Sequence, residues 1–478
     1  MLKRFHQWLP ETGLAALTLF FTYRQLGLFP GAWVDEGLFI MTAKMVAAGA
    51  GYGIPLLDHV WYYPYFLAVG PTIILPTALS IKILGLSITA ARIPMTLFIL
   101  GSALTTYIFA QKVSDRSAAR WATALLITLS AFINTGKPVL GEIPAFFFLI
   151  LGCFVLSRER HDWKGGLLSG IFFGLSILTK LTFGLILPAL ILAWIAAAAR
   201  RQWKEVWTLT ISGITGFAVY LPWRIIEAMY TPAGSLTEEI NKSLFGTGDL
   251  PLLYVLRENF GIFVRLPYLA FGAVLLLGTA GLWSRSVTIS RSLRIIFTAL
   301  IVLFTLYFLN SYGWYRHLVP AHLLLLPFVP AGIITILEKI RRTVATAWLP
   351  ARSVYGATFL ILGVMVLAQG IWQWQYKGSS FGTASAETVD LLESDYRDTD
   401  LLIEEAELFA QLPDNPRWLY LIRYGISPSM PELFMTPTPE QRCFRRVKKL
   451  SAEESNKLGD TVVRVGNYHI LPAPVDCR

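Results

Sequence analysis

The chain has 478 residues, of which 54% are hydrophobic and only 15% are charged. A soluble protein carries roughly 25% charged residues, so the composition excludes an ordinary soluble enzyme and indicates a polytopic membrane protein. The formal net charge of +10 does not indicate nucleic-acid binding, because Lys and Arg collect in the cytoplasmic loops of membrane proteins.

Apolar runs recur along the first three quarters of the chain, and about 20 apolar residues cross a bilayer as a helix. We predict about eleven spans, near residues 12–29, 92–110, 121–137, 143–157, 167–180, 183–199, 207–226, 262–282, 295–310, 318–337 and 354–371. Lys and Arg lie mostly at one set of span ends, which places the N-terminus in the cytoplasm. With an odd number of spans, the C-terminal part is external, or periplasmic in a bacterial inner membrane.

Residues 61–85 are apolar enough to span, but Pro64, Pro71 and Pro76 interrupt them. Proline inside a helix removes a backbone hydrogen bond and kinks the helix. A crossing here would also invert the charge bias of all later loops. We therefore predict helices that lie in the membrane interface, within a first external loop from about Pro30 to Ala91.

Residues 376–478 are soluble in composition, so we predict a transmembrane domain over 1–375 and a small external α/β domain over 376–478. A helix is predicted over 387–396, and strands are predicted over 400–404 and within 461–471, where apolar and polar residues alternate.

The cysteines and histidines of the chain form no metal-ligand spacing. Cys443 and Cys477 could pair in an oxidising compartment, whereas Cys153 lies in an apolar run and is interpreted as a packing residue. We predict no metal site and no required cofactor, although a divalent cation could bind at the acidic pair described next.

Two adjacent carboxylates, Asp35 and Glu36, follow directly on the first apolar run, with Trp33 just before them. One interpretation is a solvated helix N-terminus, where the helix dipole favours carboxylates. The other is catalytic, because a carboxylate can take a proton from a sugar hydroxyl. We predict that Asp35 and Glu36 are catalytic and that Trp33 lines the donor or acceptor pocket.

Glu142 heads another apolar run on the same predicted side as Asp35. Ionisable groups at the membrane edge are more often functional than those of soluble helices, so Glu142 is predicted as a third catalytic residue.

Lys180 interrupts an apolar stretch at an external hairpin, and Arg92 opens a span on the side where cations are rare. Both are predicted to bind the donor phosphate. For Glu142 and Lys180 the alternative is an ordinary charge at a helix end or a turn.

A short external turn between Asn310 and Pro320 combines aromatic residues with Arg316. A guanidinium binds phosphate bidentately in a partly dry setting, so Arg316 is predicted as the main phosphate ligand. The alternative is an aromatic belt with an Arg that reaches the interface. The predicted pocket is completed by four further residues: Tyr312, Tyr315, His317 and, from the first loop, His59.

Several short motifs together resemble the integral-membrane glycosyltransferases with the GT-C fold. The likeness is greatest to the branch of protein O-mannosyltransferases and the aminoarabinose transferases acting on lipid A. It covers roughly residues 10–375. The motifs are Asp35-Glu36 with Ala43, Ala47 and Gly49, then Ala91-Arg92-Ile93-Pro94, Lys112 to Ala119, Gly141-Glu142-Ile143-Pro144, Gly174 to Lys180, and Tyr315 to Pro320. Two positions depart from the family pattern, because Glu142 stands where Asp is frequent and Leu181 follows Lys180 where Gly is usual.

The resemblance implies a polyprenyl-phosphate-linked sugar as donor. It also implies that an acidic residue of the first external loop lies at the active centre and that the same loop carries interfacial helices. The donor sugar is left open by the two departures, so a hexosyl- or a pentosyltransferase is expected.

The residues and the resemblance together predict a membrane glycosyltransferase that moves this sugar to an acceptor hydroxyl at the external face, with inversion. The acceptor is a lipid, a glycan or a protein, and membrane lipid is the other expected partner. A transporter or flippase of a lipid-linked or anionic solute is the alternative, although it would call for broken helices and charges near the midplane. A third interpretation is a membrane assembly protein that works through its tail.

Overall fold

A computed structural model describes residues 2–158, 162–230, 266–311, 314–343, 351–375, 381–422, 436–451, 453–454 and 462–474. The membrane part contains α1 (Leu2–Tyr23), α2 (Val34–Ala47), α3 (Pro71–Leu84), α4 (Ile88–Val113), α5 (Arg116–Thr128), α6 (Ser130–Gly136), α7 (Glu142–Leu156), α8 (Trp163–Thr179), α9 (Ile186–Ala199), α10 (Trp203–Tyr230), α11 (Leu266–Leu282), α12 (Arg291–Leu309), α13 (Tyr315–Leu325), α14 (Val329–Thr343) and α15 (Ala351–Gln375), with strands β1 (Gly53–Leu56) and β2 (His59–Tyr62). The C-terminal part contains α16 (Phe381–Asp395), β3 (Leu401–Ile403), α17 (Ala406–Phe409), β4 (Trp418–Tyr420), β5 (Arg445–Lys449), β6 (Val463–Val465) and β7 (Tyr468–Ile470).

Within the described ranges, six helical stretches are long and apolar enough to cross a membrane. They are Ile88–Val113, Leu181–Ala199, Trp203–Tyr230, Arg291–Leu309, Tyr315–Thr343 and Arg352–Gln375, and four shorter apolar helices (α3, α7, α8 and α11) accompany them. The predicted class, an α-helical polytopic membrane protein, is confirmed, whereas the number of eleven spans stays a prediction.

One predicted span, 121–137, is not a continuous helix. Helix α5 ends at Thr128 and α6 begins at Ser130, because Leu129 between them has an extended backbone with φ −69° and ψ 110°. The Thr128 hydroxyl donates to the carbonyl of Ala124 at 2.7 Å, and such local bonds compete with the helical ones. The short helix after this break, α6, carries residues that line the candidate active site described below.

The loop between α2 and α3 contains a β-hairpin that was not predicted from the sequence. Strands β1 and β2 pair antiparallel, with Ile54 opposite Trp61. The run His59-Val60-Trp61-Tyr62 is aromatic and β-branched, which suits a strand better than the predicted interfacial helix. The helix predicted over 61–85 is therefore confirmed only as α3, whose first residue, Pro71, is in the position where a helix tolerates proline.

The C-terminal domain has a sheet with the strand order β4-β3-β5-β7-β6. Strand β3 pairs parallel with β4 and β5, while β7 pairs antiparallel with β5 and β6. The predicted helix and strands of this α/β part are confirmed as α16, β3, β6 and β7. Cys443 is disulfide-bonded and Cys153 is a buried free thiol, but Cys477 lies outside the described residues, so its pairing stays a prediction.

The C-terminal domain shares a hydrophobic core with α2, α3 and the hairpin between them. Ala406, Ala410 and Tyr420 pack in the same buried cluster as α2, α3 and the hairpin. At the edge of this contact, the Lys44 ammonium donates to the carbonyl of Leu412 at 2.8 Å and pairs with Asp414 at 2.6 Å. The helix that carries Asp35 and Glu36 is thus held between the membrane helices and the C-terminal domain.

Candidate active site

Helix α2 presents its two carboxylates in different directions. Asp35 and Glu36 are both in its first turn, where the helix dipole favours negative charge. Successive residues of an α-helix are about 100° apart around its axis, so neighbouring side chains diverge. The Asp35 side chain is 35% exposed, whereas that of Glu36 is fully buried.

Glu36 is the centre of a buried network with Arg92. The Arg92 Nε and Nη2 groups donate to the two carboxylate oxygens of Glu36, each at 2.7 Å, and both side chains are 0% exposed. Arg92 also donates to the carbonyl of Leu26 at 2.8 Å, and the backbone N–H of Val139 donates to Glu36 at 3.0 Å. The network therefore ties α2 and α4 to the backbone at Leu26, after α1, and at Val139, before α7. It also keeps both charges away from solvent.

Asp35 pairs instead with Arg316, which lies 281 residues later in the chain. The Arg316 Nη1 group donates to Asp35 Oδ2 at 2.7 Å. Its guanidinium lies 4.3 Å from the ring centre of Trp33 and 4.6 Å from that of Trp314, where cation–π attraction holds its plane. Arg316 is 13% exposed, so this pair is partly dry but still open on one side.

Glu142 and Lys180 form a second ion pair nearby. Their charged atoms lie 3.1 Å apart, and the side chains are 3% and 13% exposed. Glu142 begins α7 and Lys180 follows α8, where it also bridges to the backbone of Val69. Lys180 and Arg316 both interact electrostatically with Glu142. The structure thus joins four residues that the sequence named separately into two neighbouring ion pairs, Asp35–Arg316 and Glu142–Lys180.

A cavity of about 330 Å³ adjoins the Asp35–Arg316 pair. Its lining combines the Arg316 guanidinium with the indoles of Trp33 and Trp314 and the amide of Asn134; the other lining residues are Pro30, Gly31, Thr135, Pro138 and Leu140. A cation, aromatic faces and an amide are suited to a phosphate and an adjoining polar ring. The cavity can therefore hold an anionic group against Arg316, the partner of Asp35.

The remaining predicted pocket residues lie behind or outside this cavity. His317 Nδ1 is hydrogen-bonded to Ser311 Oγ at 2.8 Å, and the Tyr315 hydroxyl contacts His322 Nδ1 at 2.6 Å. Both side chains thus support the helix that carries Arg316. His59 is on β2 and pairs with the neighbouring Asp58 at 3.2 Å. Tyr312 lies outside the described residues.

The lining residues between α5 and α7 were not among the site residues predicted from the sequence. Asn134 and Thr135 interrupt a predicted apolar span, which was a signal that part of it faces a polar space. Lys137, next to them, is 2% exposed and donates to the carbonyl of Arg24 at 2.7 Å. In the part of the chain that the structure describes, no three metal-ligating side chains come together.

Comparisons with known proteins agree with this architecture. The sequence model of the family described as dolichyl-phosphate-mannose-protein mannosyltransferase matches residues 69–226. No curated protein sequence matches the chain.

Two solved structures are similar to the fold. ArnT from Cupriavidus metallidurans bound to undecaprenyl phosphate has a TM-score of 0.65 at 13% sequence identity, with 96% of this chain and 97% of that chain covered. The oligosaccharyltransferase AglB from Archaeoglobus fulgidus, in complex with an inhibitory peptide and a dolichol-phosphate, has a TM-score of 0.55 at 11% identity, with 87% and 64% covered. The predicted resemblance is confirmed: this chain is a membrane-spanning protein with the GT-C glycosyltransferase fold.

Proposed function

We propose that the protein transfers a sugar from a polyprenyl-phosphate-linked donor to an acceptor hydroxyl at the external membrane face, with inversion. The observation that carries this proposal is the Asp35–Arg316 pair, framed by Trp33 and Trp314 at the wall of a cavity. In this pair the Asp35 carboxylate, which can accept a proton, lies beside the Arg316 guanidinium, which can bind a phosphate. The similar structures support the donor class, because those of ArnT and AglB contain undecaprenyl phosphate and dolichol-phosphate.

In the proposed reaction the acceptor oxygen attacks the anomeric carbon of the sugar as the bond from that carbon to the phosphate oxygen breaks. Asp35 takes the proton of the acceptor hydroxyl, and the polyprenyl phosphate leaves with its electron pair. One in-line displacement inverts the anomeric centre. Arg316 stabilises the charge that grows on the departing phosphate.

The other charged residues are assigned by their surroundings. Lys180 pairs with Glu142, which also interacts with Arg316, so Lys180 supplies further positive charge to the phosphate while Glu142 fixes its position. Glu36 and Arg92 are fully buried and bound to each other. We therefore assign them to holding α2 in place, which revises the expectation that Glu36 is catalytic and that Arg92 contacts the donor.

The proposal is tested with purified protein in lipid. The protein is incubated with a panel of polyprenyl-phosphate sugars and candidate acceptors, and release of free polyprenyl phosphate is measured. We expect release from one donor, and we expect Asp35→Asn and Arg316→Ala each to lower the rate by on the order of 10²–10³. Asp35→Asn should keep donor binding, whereas Arg316→Ala should weaken it.

The matched control is Asp390→Asn, because Asp390 is an exposed carboxylate on α16 away from the cavity. It should leave the rate unchanged. Full activity in Asp35→Asn would refute the assignment of the base. Absence of both turnover and donor binding in the wild type, with no effect of Arg316→Ala, would favour the transporter alternative.

A further inference from the structure

A second and larger cavity, of about 900 Å³, lies at the opposite ends of the membrane helices. Its walls include Ser114, which follows the last residue of α4, whereas Arg92 of the Glu36 network is near the start of the same helix. At 1.5 Å per residue, a helix of this length separates the two regions by roughly 30 Å. The second cavity is therefore at the other face of the membrane from Asp35.

One half of this cavity is apolar and aromatic. Its side chains come from α5, α14 and α15, and they include Trp121, Ile334, Phe359 and Leu362. The rings of Trp121 and Phe359 are in contact edge to face, with centres 5.5 Å apart. Phe359 is 52% exposed, so this half continues to the outer surface of the helix bundle, where lipid chains lie.

The other half is polar and is built from hydroxyl groups. Ser284 and Ser286 are hydrogen-bonded at 2.9 Å, and the Thr335 hydroxyl donates to Ser284 Oγ at 2.9 Å. All three line the cavity. These bonds use two of the three hydroxyl hydrogens, so the cluster keeps one hydroxyl hydrogen that can donate to a phosphate.

The rim of this cavity carries more positive than negative charge. Of its two carboxylates, Asp115 accepts the backbone N–H of Ala118 as a helix cap, and Glu338 pairs with Arg342 at 3.4 Å. The two remaining cations, Arg285 and Lys339, have no carboxylate partner in the described ranges. The rim therefore keeps a positive charge beside the hydroxyl cluster.

We propose that this cavity, which we call the basic cleft, binds an anionic phospholipid of the surrounding leaflet. Its phosphate is held by Arg285, Lys339 and the hydroxyl cluster, and its acyl chains lie along Trp121 and Phe359. A bilayer lipid is favoured over a soluble anion because the same cavity is half apolar and continues to the lipid-facing surface. Basic pockets between membrane helices are suited to anionic head groups.

The test uses the full-length protein in nanodiscs that contain equal amounts of phosphatidylglycerol and phosphatidylcholine, followed by native mass spectrometry of the retained lipid. The wild type should retain phosphatidylglycerol preferentially, even in millimolar inorganic phosphate. The double variant Arg285→Gln/Lys339→Gln should lose this preference by roughly tenfold or more, since each cation near an anionic lipid contributes about a fivefold gain in affinity.

The matched control is Lys204→Gln/Arg291→Gln, which removes one Lys and one Arg, both exposed, from other helix ends of the predicted same face. It should keep the preference, as should Arg316→Ala, which removes a cation on the Asp35 side. Equal retention of both lipids by the wild type, an equal loss in either control variant, or displacement of the lipid by phosphate would overturn the proposal. None of these results depends on glycosyl transfer, so the proposed function is tested separately.

Discussion

Asp35 and Glu36 are neighbours in the sequence, but each has its own arginine. The sequence identified both carboxylates and both arginines as candidates, yet it could not pair them. The partner of Asp35 comes from a helix more than half the chain away, and no local pattern encodes such a contact. Burial then separates the roles, because Glu36 and Arg92 are closed off, whereas Asp35 is partly exposed and pairs with Arg316, which lines the cavity.

The buried Glu36–Arg92 pair predicts an asymmetric response to mutation. Glu36→Gln leaves the Arg92 charge buried without its partner, which should lower the free energy of unfolding by about 3–5 kcal/mol. Replacing both residues by leucine removes both charges and should cost much less than Glu36→Gln. The measurement is denaturant unfolding in detergent.

A surface pair supplies the reference for that measurement. Glu338 pairs with Arg342 at 3.4 Å on an exposed face, so Glu338→Gln should change stability little. Equal losses in Glu36→Gln and Glu338→Gln would show that the buried network does not hold α2 in place.

At the scale of elements, α2 is fixed by close contact with α17 of the C-terminal domain. Gly37 faces this short helix, and a methyl group added there would collide with the backbone of Ala406 and Glu407. A helix backbone cannot yield to such a contact as a flexible side chain can. The glycine that follows the acidic pair therefore serves the contact with the other domain.

Gly37→Ala should push α17 away from α2 and loosen the Asp35 site. We expect faster hydrogen exchange in both helices and a loss of glycosyl transfer, with the fold of the membrane part retained. Gly356→Ala is the control, because a methyl group at Gly356, on a membrane helix, meets no atom within 4 Å. Unchanged exchange in α2 after Gly37→Ala would contradict this account.

The elements themselves were predictable to different degrees. Long apolar runs gave the membrane helices because their signal extends over many residues. The hairpin β1–β2 has strands of only four residues, too short for a periodic pattern to distinguish from a proline-broken helix. The break at Leu129 was likewise hidden, because it is a single extended residue within an apolar run.

At the scale of the molecule, the predicted orientation rests on the distribution of Lys and Arg and is open to a direct test. Asp390 is exposed on the C-terminal domain and Lys204 is exposed at the start of α10. In spheroplasts, a membrane-impermeant maleimide should label Asp390→Cys, and it should label Lys204→Cys only after permeabilisation.

The native cysteines in the described ranges leave this experiment clear, because Cys153 is fully buried and Cys443 is disulfide-bonded. Labelling of Lys204→Cys from outside, with Asp390→Cys protected, would reverse the orientation. The proposed reaction would then be assigned to the cytoplasmic face.

The shared core of α2 and the C-terminal domain also determines when, during synthesis of the chain, the surroundings of Asp35 are completed. Helix α2 leaves the ribosome early, whereas Ala406, Ala410 and Tyr420, which complete the core around it, are synthesised several hundred residues later. Until that part of the chain has docked, one side of α2 remains uncovered. A half-made chain would therefore carry the Asp35 site without its full support, and the site would be complete only once the C-terminal part has been made.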